Sequence, residues 1–127
     1  MMRDVMIVTG GSRGIGAATA RLAAARGYDV CINYISNKDA AASVVADVVA
    51  AGHKAIAVQG DMAVEADIVS VFEQATSELG PVTALVNNAG VLDLEGRLDE
   101  FDADRIARII DVNVTGAILC AREAVRR

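Results

Sequence analysis

The chain has 127 residues, 54% of them apolar, with 11 glycines, one proline, two cysteines and no tryptophan, and 17 acidic against 12 basic side chains leave it at -5. That composition fits one small domain with a real core and excludes disorder and a disulfide scaffold, while aperiodic glycine and short apolar runs exclude collagen-like, coiled-coil and low-complexity readings. The negative balance also speaks against a nucleic-acid module, because bases cluster only at Arg122, Arg126 and Arg127.

The first apolar run, 5–9, is too short for the core of an export signal and leads straight into glycines. No run approaches the ~20 apolar residues that cross a bilayer. Cys31 and Cys120 are far apart and carry no motif, the pattern of free, reduced thiols in a cytoplasmic protein.

In chain order, residues 5–9 read as a fully buried strand ended by Gly10 and Gly11. A helix follows over about 14–26, with Ile15, Ala18 and Leu22 on one face and Gly27 as its stop. Residues 30–34 form the second strand. The second helix, 39–51, carries a valine stripe at 44, 45, 48 and 49 that packing must support, since valine is a weak helix former. A third strand over 54–59 buries Ile56 and Val58. In the helix over about 65–79, Ile68, Val71, Phe72, Ala75 and Leu79 recur at helical spacing before Gly80-Pro81 ends it. The fourth strand is 82–86. A polar loop holding Asp93, Glu95, Asp99, Glu100 and Asp102 reads as a solvated face. A long helix then runs from about Ala103, with Ile106, Ile109, Ile110, Val114, Ala117 and Ala121 expected on its buried side.

Short apolar strands alternating with helices indicate an α/β fold, a Rossmann-type doubly wound parallel sheet with right-handed crossovers. No internal linker or repeat divides it, so residues 1–127 read as one domain.

The turn Thr9-Gly10-Gly11-Ser12-Arg13-Gly14-Ile15-Gly16 joins the first strand to the first helix. Glycines at 10 and 14 permit a tight turn and close backbone approach, Gly16 lets the helix pack near the sheet, and amides at the helix start face a pyrophosphate. A dinucleotide site of this type carries an acid about 20 residues later when it grips the ribose hydroxyls of NAD. Here the region reads Ile32-Asn33-Tyr34-Ile35-Ser36-Asn37-Lys38, without an acid before Asp39. Arg13, with Asn33, Ser36 or Lys38, can instead hold a 2′-phosphate, so NADP is expected rather than NAD. Asp61, after the third strand, can accept from the adenine amino group or serve as a helix-start acid. His53, the single histidine, has no ligand pattern around it, and no metal is expected.

With the glycine turn, Asp61 and Asn87-Asn88-Ala89-Gly90 in this order and spacing, the chain resembles the short-chain dehydrogenase/reductase family of the classical type. The resemblance implies that the Thr-Gly-x-x-x-Gly-x-Gly pattern of Thr9, Gly10, Gly14 and Gly16 binds the dinucleotide. It implies that Asn87 to Gly90 stabilise the sheet and line the nicotinamide ribose side, and that Asn113, in Asp111-Val112-Asn113-Val114, belongs to the catalytic set. On physical grounds a buried Asn in an apolar helix needs a partner, which a local backbone distortion or a water would supply.

The expected cofactor residues are therefore Gly10, Ser12, Arg13, Gly14, Ile15 and Gly16 from the turn; Asn33, Tyr34 and Ser36 from the second strand's exit; Asp61 and Met62 from the third; and Asn88, Ala89 and Gly90 from the fourth. The implied activity is hydride transfer between nicotinamide and a carbonyl or secondary alcohol, in a homodimer or homotetramer. The family's Tyr-x-x-x-Lys pair has one match in letters, Tyr34 to Lys38, but at the adenosine end, which is the wrong place for proton transfer. The expectation is a chain carrying the first four of seven strands, truncated before the catalytic pair and inactive alone, with sheet and helix surface left apolar. The competing readings are a noncatalytic nucleotide-sensing or interaction protein of the same fold and a flavin or other nucleotide-binding α/β domain.

Overall fold

A computed structural model describes residues 3–92 and 95–127. Four parallel strands, β1 (Asp4–Val8), β2 (Tyr28–Tyr34), β3 (Ala55–Gln59) and β4 (Ala84–Val86), lie in the order β3-β2-β1-β4. Register is set by pairs such as Ile7 with Cys31 and Leu85, and Cys31 with Ile56. Because successive residues of a strand point to opposite faces, each central strand feeds two cores. Val8, Val30 and Ile32 meet helices α1 (Gly14–Ala25) and α2 (Lys38–Ala50) on one face. Ile7, Cys31 and Val58 meet α3 (Glu65–Leu79) and α5 (Ala117–Arg126) on the other, around Phe72. Reversal of strand order beside β1 leaves a crevice at the carboxyl ends of the strands, where the functional residues gather.

Two expected faces turn out differently. On α1 the buried residues are Gly16, Ala17, Ala20, Ala23 and Ala24, whereas Ile15 and Leu22 are 78% and 56% exposed. Small side chains let the helix axis approach the sheet, so closeness rather than side-chain size chose the inner face. The long helix expected from Ala103 is three pieces: α4 (Ala103–Ile110), a π-helical turn (Asp111–Gly116) and α5. A wider turn rotates everything after it relative to a straight helix. The residues turned inward are Val112, Gly116, Cys120 and Glu123, while Ile106, Ile110 and Val114 form an outward apolar row. Of the acidic loop, Asp93 lies outside the described residues; Glu95, Asp99, Glu100 and Asp102 are exposed.

Asp29, at the start of β2, is 1% exposed and accepts from the Lys54 amide (2.9 Å) and from Arg3 (3.3 Å). Burial pushes its carboxyl up, but these donors outweigh it and hold the pKa below the usual carboxylate range. A depressed folded-state pKa gives stability that is present above the unfolded value and lost as pH falls through the folded one. Thermal melts of D29N between neutral and acid pH are expected to show a shallower acid limb than the parent; parallel limbs would count against the buried carboxylate.

Candidate functional site

At the end of β1 the backbone turns sharply. Gly10 has φ +61°, a conformation that costs an L side chain about 1 kcal/mol, and a Cβ there would lie 3.1 Å from the Ala89 Cα. The Asn88 side-chain amide donates to the carbonyls of Thr9 (3.1 Å) and Gly10 (3.0 Å), locking the β4 exit to the turn. Thr9 is fully buried, and its hydroxyl accepts from the amides of Asn88 (3.0 Å) and Ala89 (2.9 Å). Gly16 lies directly under the turn, where a Cβ would strike the Gly10 carbonyl and the Asn88 side chain. The start of α1 thus presses against β1 and β4, with Arg13 as an uncapped N-cap and no acid in the first turn. That end favours an anion through its free amides and helix dipole.

A cavity of about 370 Å³ opens over this turn. Its floor is Gly10, Ser12, Arg13, Gly14 and Ile15; one wall is the β2 exit from Asn33 to Asn37; the far wall is Met62, Asn88 to Val91, and Val112. The fourteen residues expected to bind cofactor come from four separate stretches, and twelve line this one space. Gly16 is instead buried beneath it. Asp61 stands outside: its carboxylate receives the Arg108 guanidinium at 2.8 and 3.1 Å and the Ala63 amide at 2.9 Å. Burial pushes its pKa up, but the Ala63 amide and Arg108 prevail and lower it. Its carboxylate is the ion-pair partner of α4 and closes a turn onto the Ala63 amide ahead of α3, whose N-cap is Val64.

Asn33, also expected near the 2′-phosphate, turns its carboxamide to the backbone. It is 1% exposed, and its carboxamide is already engaged by the Gly10 amide, which it accepts at 3.2 Å, and by the carbonyls of Val58 and Gly60, to which it donates at 3.4 and 3.0 Å. Lys38 begins α2 and does not line the cavity, whereas Arg13 and Ser36 do. Tyr34 lines the β2 wall, so the Tyr34 to Lys38 match stays at the end from which sequence reasoning excluded catalysis.

Asn113 sits in the π-helical turn, and the partner its amide needs is the backbone of Val91, in the loop after β4. Its Oδ1 accepts from the Val91 amide at 2.7 Å and its Nδ2 donates to the Val91 carbonyl at 2.8 Å. Asn113 therefore stands behind the wall and holds Val91, which lines it. Asn87 reaches the same helical segment, donating to the Ala117 carbonyl at 2.7 Å. The lining residues not expected from sequence are Ile35, Asn37, Val91 and Val112. Each adjoins an expected one, so sequence proximity was their only signal. Among the described residues that line the cavity, Arg13 is the only one with a charged side chain.

The sequence pattern of the short chain dehydrogenase family matches residues 4–127. The chain belongs to the short-chain dehydrogenase family. Within that family it is 46% identical over 123 residues to an uncharacterised oxidoreductase of Escherichia coli, covering 97% of this chain and 50% of the relative. A 3-oxoacyl-[acyl-carrier-protein] reductase of Synechocystis is 39% identical over 123 residues, with 94% and 48% of the two chains covered. The crystal structure of a short chain dehydrogenase from Burkholderia cenocepacia in complex with NADP superposes with a TM-score of 0.93 at 40% identity, over 99% of this chain and 50% of that one. This short-chain dehydrogenase chain thus spans about half the length of the curated relatives it matches.

Proposed function

We propose that residues 1–127 form one NAD(P)-binding domain and supply the cofactor pocket of an NADP-dependent oxidoreductase acting on a carbonyl or secondary alcohol. The observation that carries this reading is the cavity over the glycine turn, in which Arg13 is the only charged lining residue among those described. The residues fit a dinucleotide: a Cβ at Gly16 would strike the Gly10 carbonyl, so the open turn exists only with this glycine set, and the α1 N-terminus behind it carries no acid. Similarity to the NADP complex from Burkholderia cenocepacia and to an NADPH complex of a metagenomic blue fluorescent protein, 41% identical, supports the same choice.

When bound, the dinucleotide supplies hydride chemistry at the C4 of its nicotinamide. Amides at the start of α1 would stabilise the pyrophosphate charge, Arg13 and Ser36 would hold the 2′-phosphate, and Met62 and Val112 would supply apolar wall. Val91, fixed by Asn113, would line the nicotinamide side. Reduction of a carbonyl also consumes a proton. Of the two tyrosines, Tyr34 lies in the β2 wall and Tyr28 at the opposite end of β2, so neither is placed to give it. The outward row on α4 agrees with self-association as a dimer or tetramer. No described helix is long and apolar enough to cross a membrane. Burial pushes the thiols of Cys31 and Cys120 up to about 12 and about 11, which keeps both protonated and unreactive.

Fluorescence titration with NADPH and NADH tests the proposal. NADPH is expected to bind about tenfold more tightly or better, and R13A to erase most of that difference. Equal or tighter NADH binding would remove the NADP preference, and absence of binding by either would remove the cofactor reading.

A further inference from the structure

The β1–β2 ladder ends at the Val8–Ile32 pair, while β2 stays paired with β3 through Tyr34, so the backbone leaving β1 needs other partners. Asn33 stands one residue past that end on the central strand β2, with one side chain serving both neighbours. Its Oδ1 accepts from the Gly10 amide at the β1 exit (3.2 Å), and its Nδ2 donates to the Gly60 carbonyl at the β3 exit (3.0 Å) and, at 3.4 Å, to the Val58 carbonyl. Its own backbone carbonyl accepts from Gly11 at 2.9 Å. An amide is the one side-chain type of this size with a fixed acceptor and a fixed two-proton donor pointing in different directions. Aspartate offers no donor to Gly60, and an aliphatic residue satisfies neither strand.

We infer that Asn33 is a positioning residue for the dinucleotide: it contacts neither phosphate, and sets the glycine turn under the pyrophosphate together with the β3 exit at Gly60, which leads into Met62 of the cavity wall. The inference rests on the dinucleotide reading above and deepens it. Gly10 is held from two sides, its amide by Asn33 and its carbonyl by Asn88, in the left-handed conformation the turn requires. Releasing the amide frees the turn to relax, whatever the ligand carries on its ribose. The groups that read the 2′-phosphate, Arg13 and Ser36, are untouched by the change.

Positioning and direct contact predict different patterns across two ligands. The dissociation constants of NADPH and NADH are measured for the parent chain, N33A and N33D, well below each variant's melting temperature. With a positioning role, both variants bind both dinucleotides about tenfold more weakly or worse, and the NADPH to NADH ratio stays at the parent value. A direct 2′-phosphate contact would instead collapse the ratio in N33A and reverse it in N33D, whose new charge would repel NADPH selectively; either result overturns the inference. A lower melting temperature with unchanged constants would also overturn it, leaving a purely structural role. Should the variants fail to fold, hydrogen exchange of the Gly10 amide in the ligand-free parent decides. Slow exchange is expected of an amide held by Asn33, and exchange at the rate of an unprotected glycine would refute it. If the parent binds neither dinucleotide, it is the cofactor reading that fails, and the exchange result still reports on the turn.

Discussion

Replacing Gly16 by alanine is expected to remove dinucleotide binding and to cost the fold about 3 kcal/mol, the upper range for forcing an extra carbon into a packed site. The added methyl would meet the Gly10 carbonyl and the Asn88 side chain. Gly10 is pinned by hydrogen bonds to Asn33 and Asn88, so backbone on that side cannot give way cheaply. The helix must move instead, carrying with it the amides that face the pyrophosphate. Gly14 supplies the internal comparison: a Cβ there meets nothing within 4 Å, but its φ of +56° is unfavourable for alanine. G14A should therefore cost only about 1 kcal/mol, the strain of one left-handed residue. Urea denaturation of the two variants gives the ordering directly. Equal costs would mean that α1 does not press on the turn.

The same comparison explains what a reading of the sequence reached and what it did not. The boundaries of α3 were legible because Ile68, Val71, Phe72 and Ala75 repeat at helical spacing between an acidic first turn and Gly80. The inner face of α1 was not, because hydrophobicity favours Ile15 and Leu22 while the sheet selects Gly16, Ala17 and Ala20 for closeness. Periodicity also assumes a constant turn. The π-helical residues 111–116 break that assumption, so no single face runs from Ile106 to Ala121, and Ile106, Ile110 and Val114 face outward while Val112, Gly116 and Cys120 turn inward. Glu123 was illegible for another reason. It is 3% exposed, a position that sequence patterning reserves for apolar side chains, and it is tolerated because Arg122, Arg126 and Arg127 all reach its carboxylate.

At the site, motifs pointed to segments that line one cavity but not to the task of each side chain. Asn33 and Ser36 are three residues apart in a strand exit, and both look able to hold a phosphate. Only the structure shows that the first is consumed by Gly10, Val58 and Gly60 while the second lines the cavity. Asp61 is similar: its position after the third strand suggested an acceptor beside the crevice, and the Arg108 pair that draws its carboxylate to α4 is 47 residues distant in sequence. Long-range partners of this kind carry no local signal.

Thr9 provides the second large effect, and its expected ordering runs against hydrophobicity. Valine matches the shape of threonine and is the more apolar residue at a site with no solvent exposure. Yet the Thr9 hydroxyl is the acceptor for the Ala89 amide at 2.9 Å and shares the Asn88 amide at 3.0 Å with the Val86 carbonyl. T9V thus strands the Ala89 amide and loosens Asn88, for about 2 kcal/mol, since an unpaired buried donor forfeits its full desolvation cost. T9S retains the acceptor and loses one methyl, for about 1 kcal/mol. The same hydroxyl fixes Asn88 and Ala89 in the cavity wall, so T9V should also weaken NADPH binding while T9S leaves it close to that of the parent. Melting temperatures and NADPH titrations of the pair check both halves. A T9V protein as stable as T9S would show that the hydroxyl does not hold the β4 exit, and the link from the buried strand end to the cofactor wall would go with it.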